Sequence, residues 1–131
     1  MKVFIVEDAE IVRAGLTAML SEIPGISVIG WAADEQGAIE QINATGPDVV
    51  ILDINLKPGS GIEVLRAVKQ RKPAIKAMML TNYTDEIYVN RCMDAGADYF
   101  FDKSYQFMRV GAVLRQMAFT GGLENHYVSL Q

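Results

Sequence analysis

The sequence predicts a doubly wound α/β domain, with five parallel strands alternating with five helices. Three observations predict it. Two short apolar runs, Val3-Phe4-Ile5-Val6 and Val49-Val50-Ile51-Leu52, are rich in β-branched residues and show no polar alternation. Runs of this kind read as strands covered on both faces. Stretches with the helical period lie between the strand-like runs, and Gly or Pro punctuates the boundaries. Strand and helix in regular alternation give a parallel sheet with right-handed crossovers.

Each element has its own signal. The first strand is 2–6. A helix over about 9–22 follows, with Ile11, Val12, Leu16, Met19, Leu20 and Ile23 on one stripe, and Pro24-Gly25 ends it. The second strand, 26–31, ends at Trp31, expected to cover the sheet margin. Asp34 starts a helix over about 34–45, and Gly46-Pro47 stops it. The third strand is 48–52, and a turn-rich loop runs from Asp53 to Ser60. Ser60 and Glu63 have the spacing of a capping box for a helix that reaches about 71. The fourth strand is 75–80. Thr84 or Asp85 opens a helix that closes at Ala95-Gly96. The fifth strand is 98–101, and Ser104 is expected to cap a last helix over about 105–119.

With 131 residues, a 50% hydrophobic share and a net charge of -4, the chain has material for one well-cored domain. The expected division is a domain over 1–120 and a short polar tail over 121–131 with no output domain, in which His126 is solvated. The acidic balance argues against direct nucleic-acid binding, which needs clustered Lys and Arg. No apolar run approaches the roughly 20 residues that span a bilayer, and residues 1–20 lack the layout of a secretion signal. The single cysteine, Cys92, cannot form an internal disulfide and reads as a small buried hydrophobe. Together these features predict a cytoplasmic protein.

The chemistry lies at the strand ends. The first strand delivers Glu7 and Asp8, the third Asp53, the fourth Thr81 and the fifth Lys103. In open α/β sheets ligands sit at the carboxyl ends of the strands, so these five can converge. Three carboxylates repel one another unless something positive lies among them, and such oxygen-rich surroundings suit Mg²⁺. A carboxylate beside Mg²⁺ can take a phosphoryl group, because the metal offsets charge on the phosphoryl oxygens. Taken singly, Asp8, Asp53 and Ser104 are also the residue types that cap helices and turns.

The ordered pieces Val6-Glu7-Asp8, Leu52-Asp53, the Pro58 to Gly61 loop, Leu80-Thr81, Ala95-Gly96-Ala97-Asp98 and Lys103 resemble the receiver domain of two-component response regulators, over residues 1 to about 119. The resemblance implies the flavodoxin-like strand order 2-1-3-4-5. It implies that Asp53 accepts a phosphoryl group from a sensor histidine kinase or phosphotransfer protein. Asp8 is implied as a direct Mg²⁺ ligand, Glu7 as a ligand through water, and the Asn55 carbonyl as the third protein ligand. Lys103 would pair with the phosphoryl group or with Asp53, Thr81 would swing its hydroxyl onto a phosphoryl oxygen, and Phe100 would be the switch aromatic that follows. The product is a phosphorylation-operated switch that changes its binding to a downstream protein or to a second copy of the chain. It would be an enzyme only toward its own phosphorylation and dephosphorylation.

Several residues depart from the commonest pattern of that family. Lys57 precedes Pro58 where proline often comes one residue earlier, Asn82 replaces a small residue, Phe100 replaces a frequent tyrosine, and Ser104 replaces a frequent proline. A cis bond before Ser104 would cost roughly 2.5–4 kcal/mol, so Lys103–Ser104 is expected trans. Other functions fit less well. An Asp-nucleophile phosphatase of the haloacid-dehalogenase type wants a second Asp at position 55, where this chain has Asn55. A flavin-binding protein wants a Ser-, Thr- or Gly-rich loop after the first strand, where Glu7 and Asp8 repel phosphate. A degenerate receiver would have lost an acid or the lysine. A phosphate sink, which drains a kinase without passing a signal on, would keep the same site.

Overall fold

The structure is a computed structural model that describes residues 1–120; the expected tail, with His126, lies outside the described residues. Its strands are β1 (Lys2–Val6), β2 (Ser27–Ala32), β3 (Val49–Leu52), β4 (Lys76–Thr81) and β5 (Tyr99–Asp102). Its helices are α1 (Glu10–Ser21), α2 (Glu35–Thr45), α3 (Gly61–Arg71), α4 (Glu86–Asp94) and α5 (Phe107–Thr120). All strand pairs are parallel and the order is β2-β1-β3-β4-β5, the expected topology.

Alternation along the strands builds two cores. Successive side chains point to opposite faces. Phe4, Val6, Val50, Leu52, Ala77 and Met79 pack under α2, α3 and α4, together with Ile42, Leu65 and Cys92. Val3, Ile5, Val49, Ile51, Met78 and Leu80 pack under α1 and α5, together with Leu16, Leu20, Val110 and Leu114. Both faces of the three central strands are therefore dry, which is why those strands read as unbroken apolar runs. A free, buried Cys92 sits in the first core, as expected of a small hydrophobe.

The helix ends show which sequence signals act. Asp34 caps α2 by accepting from the Gly37 N–H, and Gly46 closes it in the left-handed region at φ 60°. Ser60 caps α3 by accepting from the Ile62 N–H at 3.1 Å. The return half of the expected capping box is missing, because Glu63 pairs with Arg66 and the Ser60 N–H donates instead to Glu35 Oε1 at 3.0 Å. Three further expectations are corrected. Ser104 does not cap α5; its hydroxyl bonds Asn82 Oδ1 at 2.9 Å, and the helix starts three residues later. Ile11 is not part of the buried stripe of α1 but is 83% exposed, because it lies on the solvent side of the first turn. Trp31 does not seal the sheet margin; it is 52% exposed and lies under the Arg13 guanidinium.

Candidate functional site

The carboxyl ends of β1, β3 and β4 and the turn after β5 meet around a cavity of about 160 Å³. Glu7, Asp8, Asp53, Asn55, Thr81 and Lys103 all line it, with Asn82 and Tyr83 at its rim. Backbone bonds across the sheet fix the register of these ends. The Glu7 N–H donates to the Ala32 carbonyl and the Asp53 N–H to the Val6 carbonyl, both at 3.0 Å. The Lys103 N–H donates to the Thr81 carbonyl at 2.9 Å.

The acids are close and unequal in their surroundings. One carboxylate oxygen from each of Glu7, Asp8 and Asp53 lies within 4.8 Å of the others. Glu7 and Asp53 are buried, whereas Asp8 is half-buried. Neither Asp8 nor Asp53 serves as a helix cap: Ala9 occupies the cap position of α1, and Ser60 that of α3. Lys103 Nζ donates to Glu7 Oε1 at 2.6 Å and to Asp53 Oδ2 at 2.7 Å. Its pairing with Asp53 was anticipated, and its equal grip on Glu7 was not.

These contacts shift the ionisation of two groups. Burial pushes the Glu7 carboxyl above its ordinary value, against the opposing pull of its bonds from Lys103 and from the Ala9 N–H. Burial also works to lower the Lys103 pKa, but the hydrogen bonds to Asp53 and Glu7 outweigh it and hold the ammonium above its ordinary value. The lysine is therefore a fixed positive charge between two acids at neutral pH, on a stem flexible enough to follow an added group.

Thr81 is fully buried, and its Oγ1 accepts from the Tyr83 N–H at 3.2 Å. Its proton remains free to donate toward the cavity. Phe100, on the neighbouring strand, is half-buried and packs on the core beneath α2, α3 and α4. The position of Asp53 depends on a glycine. A Cβ built on Gly61 would come within 1.7 Å of the Asp53 carbonyl oxygen, so only Gly lets α3 start against the Asp53 backbone. Lys57–Pro58, in the loop between them, is cis, and Lys103–Ser104 is trans as expected.

The donor set fits a hard divalent cation. Three carboxylates within reach of one another, beside a small cavity, offer the oxygen ligands that Mg²⁺ prefers, with room for retained waters. Sequence reasoning placed every one of these cavity-lining acids. It missed Arg13 and Glu35, whose spacing from the site along the chain gives no motif.

Comparison with known proteins gives the family and the fold. The response regulator receiver domain matches residues 3–115. The DNA-binding transcriptional activator DevR/DosR of Mycobacterium tuberculosis is 33% identical over 117 residues, covering 89% of this chain and 54% of that protein. The chain thus spans about half the length of the curated relatives it matches. Among solved structures, the response regulator domain of Thermotoga maritima CheB superposes with a TM-score of 0.80 at 25% identity, covering 92% of this chain and 94% of that one. CheY in the CheX-CheY-BeF3-Mg²⁺ complex of Borrelia burgdorferi superposes with a TM-score of 0.76 at 26% identity, covering 87% and 89%. The chain belongs to the receiver domain family of response regulators. It is the phosphoacceptor switch module of two-component signalling.

Proposed function

We propose that Asp53 is the phosphoacceptor and that Glu7, Asp8, Asp53 and the Asn55 carbonyl hold Mg²⁺ beside it. The observation that carries this reading is the Lys103 ammonium bridging Asp53 and Glu7, with the Asp8 carboxylate next to both. When bound, the metal would offset charge on the phosphoryl oxygens. An Asp53 carboxylate oxygen attacks the phosphorus of a phosphohistidine on a kinase or phosphotransfer protein. The new P–O bond forms as the P–N bond breaks, and the histidine nitrogen keeps the electron pair. Lys103 keeps its proton and moves with the phosphoryl group. Thr81 gives up its bond from Tyr83 and donates its hydroxyl to a phosphoryl oxygen, and Phe100 turns into the space that this movement opens. A packed pair of this kind has two arrangements, which local charge biases.

The CheY neighbour is described in complex with both BeF3 and Mg²⁺, which supports the same metal and the same phosphoryl mimic here. Catalysis would extend only to the chain's own phosphorylation and hydrolysis. A reducing cytoplasm suits its free Cys92 thiol. The state would be read by a downstream protein or a second copy of the chain, through α4, β5 and α5, where Tyr88, Arg91, Tyr99 and Arg109 lie. The site can be tested with a small phosphodonor and intact-protein mass spectrometry. The parent should gain one phosphoryl group only with Mg²⁺, and Asp53→Asn, which removes the nucleophilic oxygen, should gain none. Equal incorporation in Asp53→Asn would assign the chemistry to another residue.

A further inference from the structure

One cation close to the acids has no part in the reaction described above. Arg13 projects from α1, and its Nη1 donates to the Glu7 carbonyl at 2.9 Å and to the Asp8 carbonyl at 3.1 Å. The guanidinium carbon also lies 3.8 Å from the centroid of the Trp31 ring, at the end of the edge strand β2. The two carbonyls belong to the residues whose side chains line the cavity. Arg13 therefore grips the backbone of the turn while the carboxylates of that turn serve the site.

The turn needs such a grip. Helix α1 begins at Ala9 without a side-chain cap. Its other ties are the Glu7 N–H to Ala32, the Ala9 N–H to Glu7 Oε2, the Lys103 ammonium to Glu7 Oε1 and the Arg13 N–H to Ala9. Two of these use the Glu7 carboxylate, so they compete with ligation. The guanidinium contacts do not compete, because they use only carbonyl oxygens. The contact with the Trp31 ring restrains the guanidinium and so the direction of its donors.

We infer that Arg13 is a positioning residue for divalent-cation binding, acting through the Glu7-Asp8 turn, and that Trp31 acts through Arg13. This inference rests on the metal site proposed above. Mg²⁺ titration of the full chain, followed by amide NMR shifts of the turn, tests it. Arg13→Met should weaken Mg²⁺ about tenfold, the scale on which outer-shell partners of metal ligands act. Arg13→Lys has a single side-chain nitrogen, which cannot bond both carbonyls and also rest over the Trp31 ring, and should recover little of that loss. Trp31→Ala leaves the guanidinium bonds in place and should weaken Mg²⁺ about threefold, the scale of an exposed cation–π contact. Trp31→Phe, which keeps a ring, should stay near the parent. In the parent, Trp31 fluorescence should respond to Mg²⁺, and Arg13→Met should abolish the response.

A purely structural role predicts a different pattern. Melting temperatures would fall while the Mg²⁺ affinity of Arg13→Met and Trp31→Ala stayed within a factor of two of the parent, and that result overturns the inference. Should Arg13→Met fail to fold, Trp31→Ala decides alone. A parent that binds no Mg²⁺ would overturn the metal site itself, an outcome read from the parent and not from the variants.

Discussion

Helices α3 and α4 begin in equivalent places, each just beyond a loop that carries a site residue, yet they are held very differently. Helix α3 buries Gly61, Ile62, Val64, Leu65 and Val68 and is capped by the Ser60 hydroxyl. Helix α4 buries Cys92 alone, and Asp85 at its start makes no side-chain cap bond. Its large apolar residues Ile87 and Met93 are 65% and 47% exposed. Regions with few buried apolar contacts open at lower free energy than core elements. Asp53, the proposed acceptor, thus precedes an anchored helix, whereas Thr81 precedes a loosely held one. A site that must position a nucleophile and also report its modification needs both kinds of support.

The strongest way to break this contrast is at the anchor. Gly61→Ala would drive its Cβ against the Asp53 carbonyl oxygen, a contact no rotamer relieves. The expected loss of stability is about 4 kcal/mol or more, in the range that marks severe steric disruption. Urea unfolding measures it, and a loss below about 1 kcal/mol would show that the α3 junction yields. Next comes a matched pair of buried truncations. Leu65→Ala should cost about 2–5 kcal/mol, and Cys92→Ala about 1 kcal/mol, since it removes one heavy atom from a helix with little else buried. Similar costs at the two sites would erase the distinction.

Two smaller effects sharpen it. Adding beryllium fluoride with Mg²⁺ should change amide exchange in residues 84–110 and leave the buried amides of α3 unchanged. Changes confined to the loops at Asp8 and Asp53 would favour a phosphate sink over a switch. The smallest effect concerns pH. Because the folded state raises the Lys103 pKa, its clasp on Glu7 and Asp53 contributes stability that is complete below the ordinary lysine value. That contribution is lost as pH rises through the raised value. The difference in melting temperature between the parent and Lys103→Met should therefore shrink in strongly alkaline buffer.

The fold was legible because the central strands carry unbroken apolar runs and the helices between strands end at Gly or Pro signals, as at Gly46 and Gly96. The site was legible because parallel strands send their last residues to one edge, so the order of Glu7, Asp8, Asp53, Thr81 and Lys103 along the chain carries their convergence. What escaped was side-chain choice between competing partners. Ser60 and Glu63 had capping-box spacing, but Glu35 reached the Ser60 N–H from another helix. Ser104 is a good cap residue, but Asn82 across the cavity mouth took its hydroxyl. Ile11 fits a helical stripe, but it faces solvent on the first turn of α1. No local pattern records a partner 22 or 25 residues away.

At the far end of the sheet, Asp98 Oδ2 accepts from both Lys69 Nζ at 2.7 Å and the Ala77 N–H at 2.8 Å. The Lys69 ammonium also donates to the Ile75 carbonyl at 2.7 Å, and its stem passes so near Gly96 that a Cβ there would lie 3.1 Å from Cγ. This knot ties the segment after α4 to α3 and β4, while the start of α4 follows the Thr81 loop with no cap. A rod pinned at one end and loose at the other is a lever whose free tip travels farthest. Nine residues make α4 about 13 Å long, so a tilt of about 10° displaces its tip by about 2 Å while the knot stays still. The tip is the end beside Thr81, so the largest excursion falls where the phosphoryl group would push.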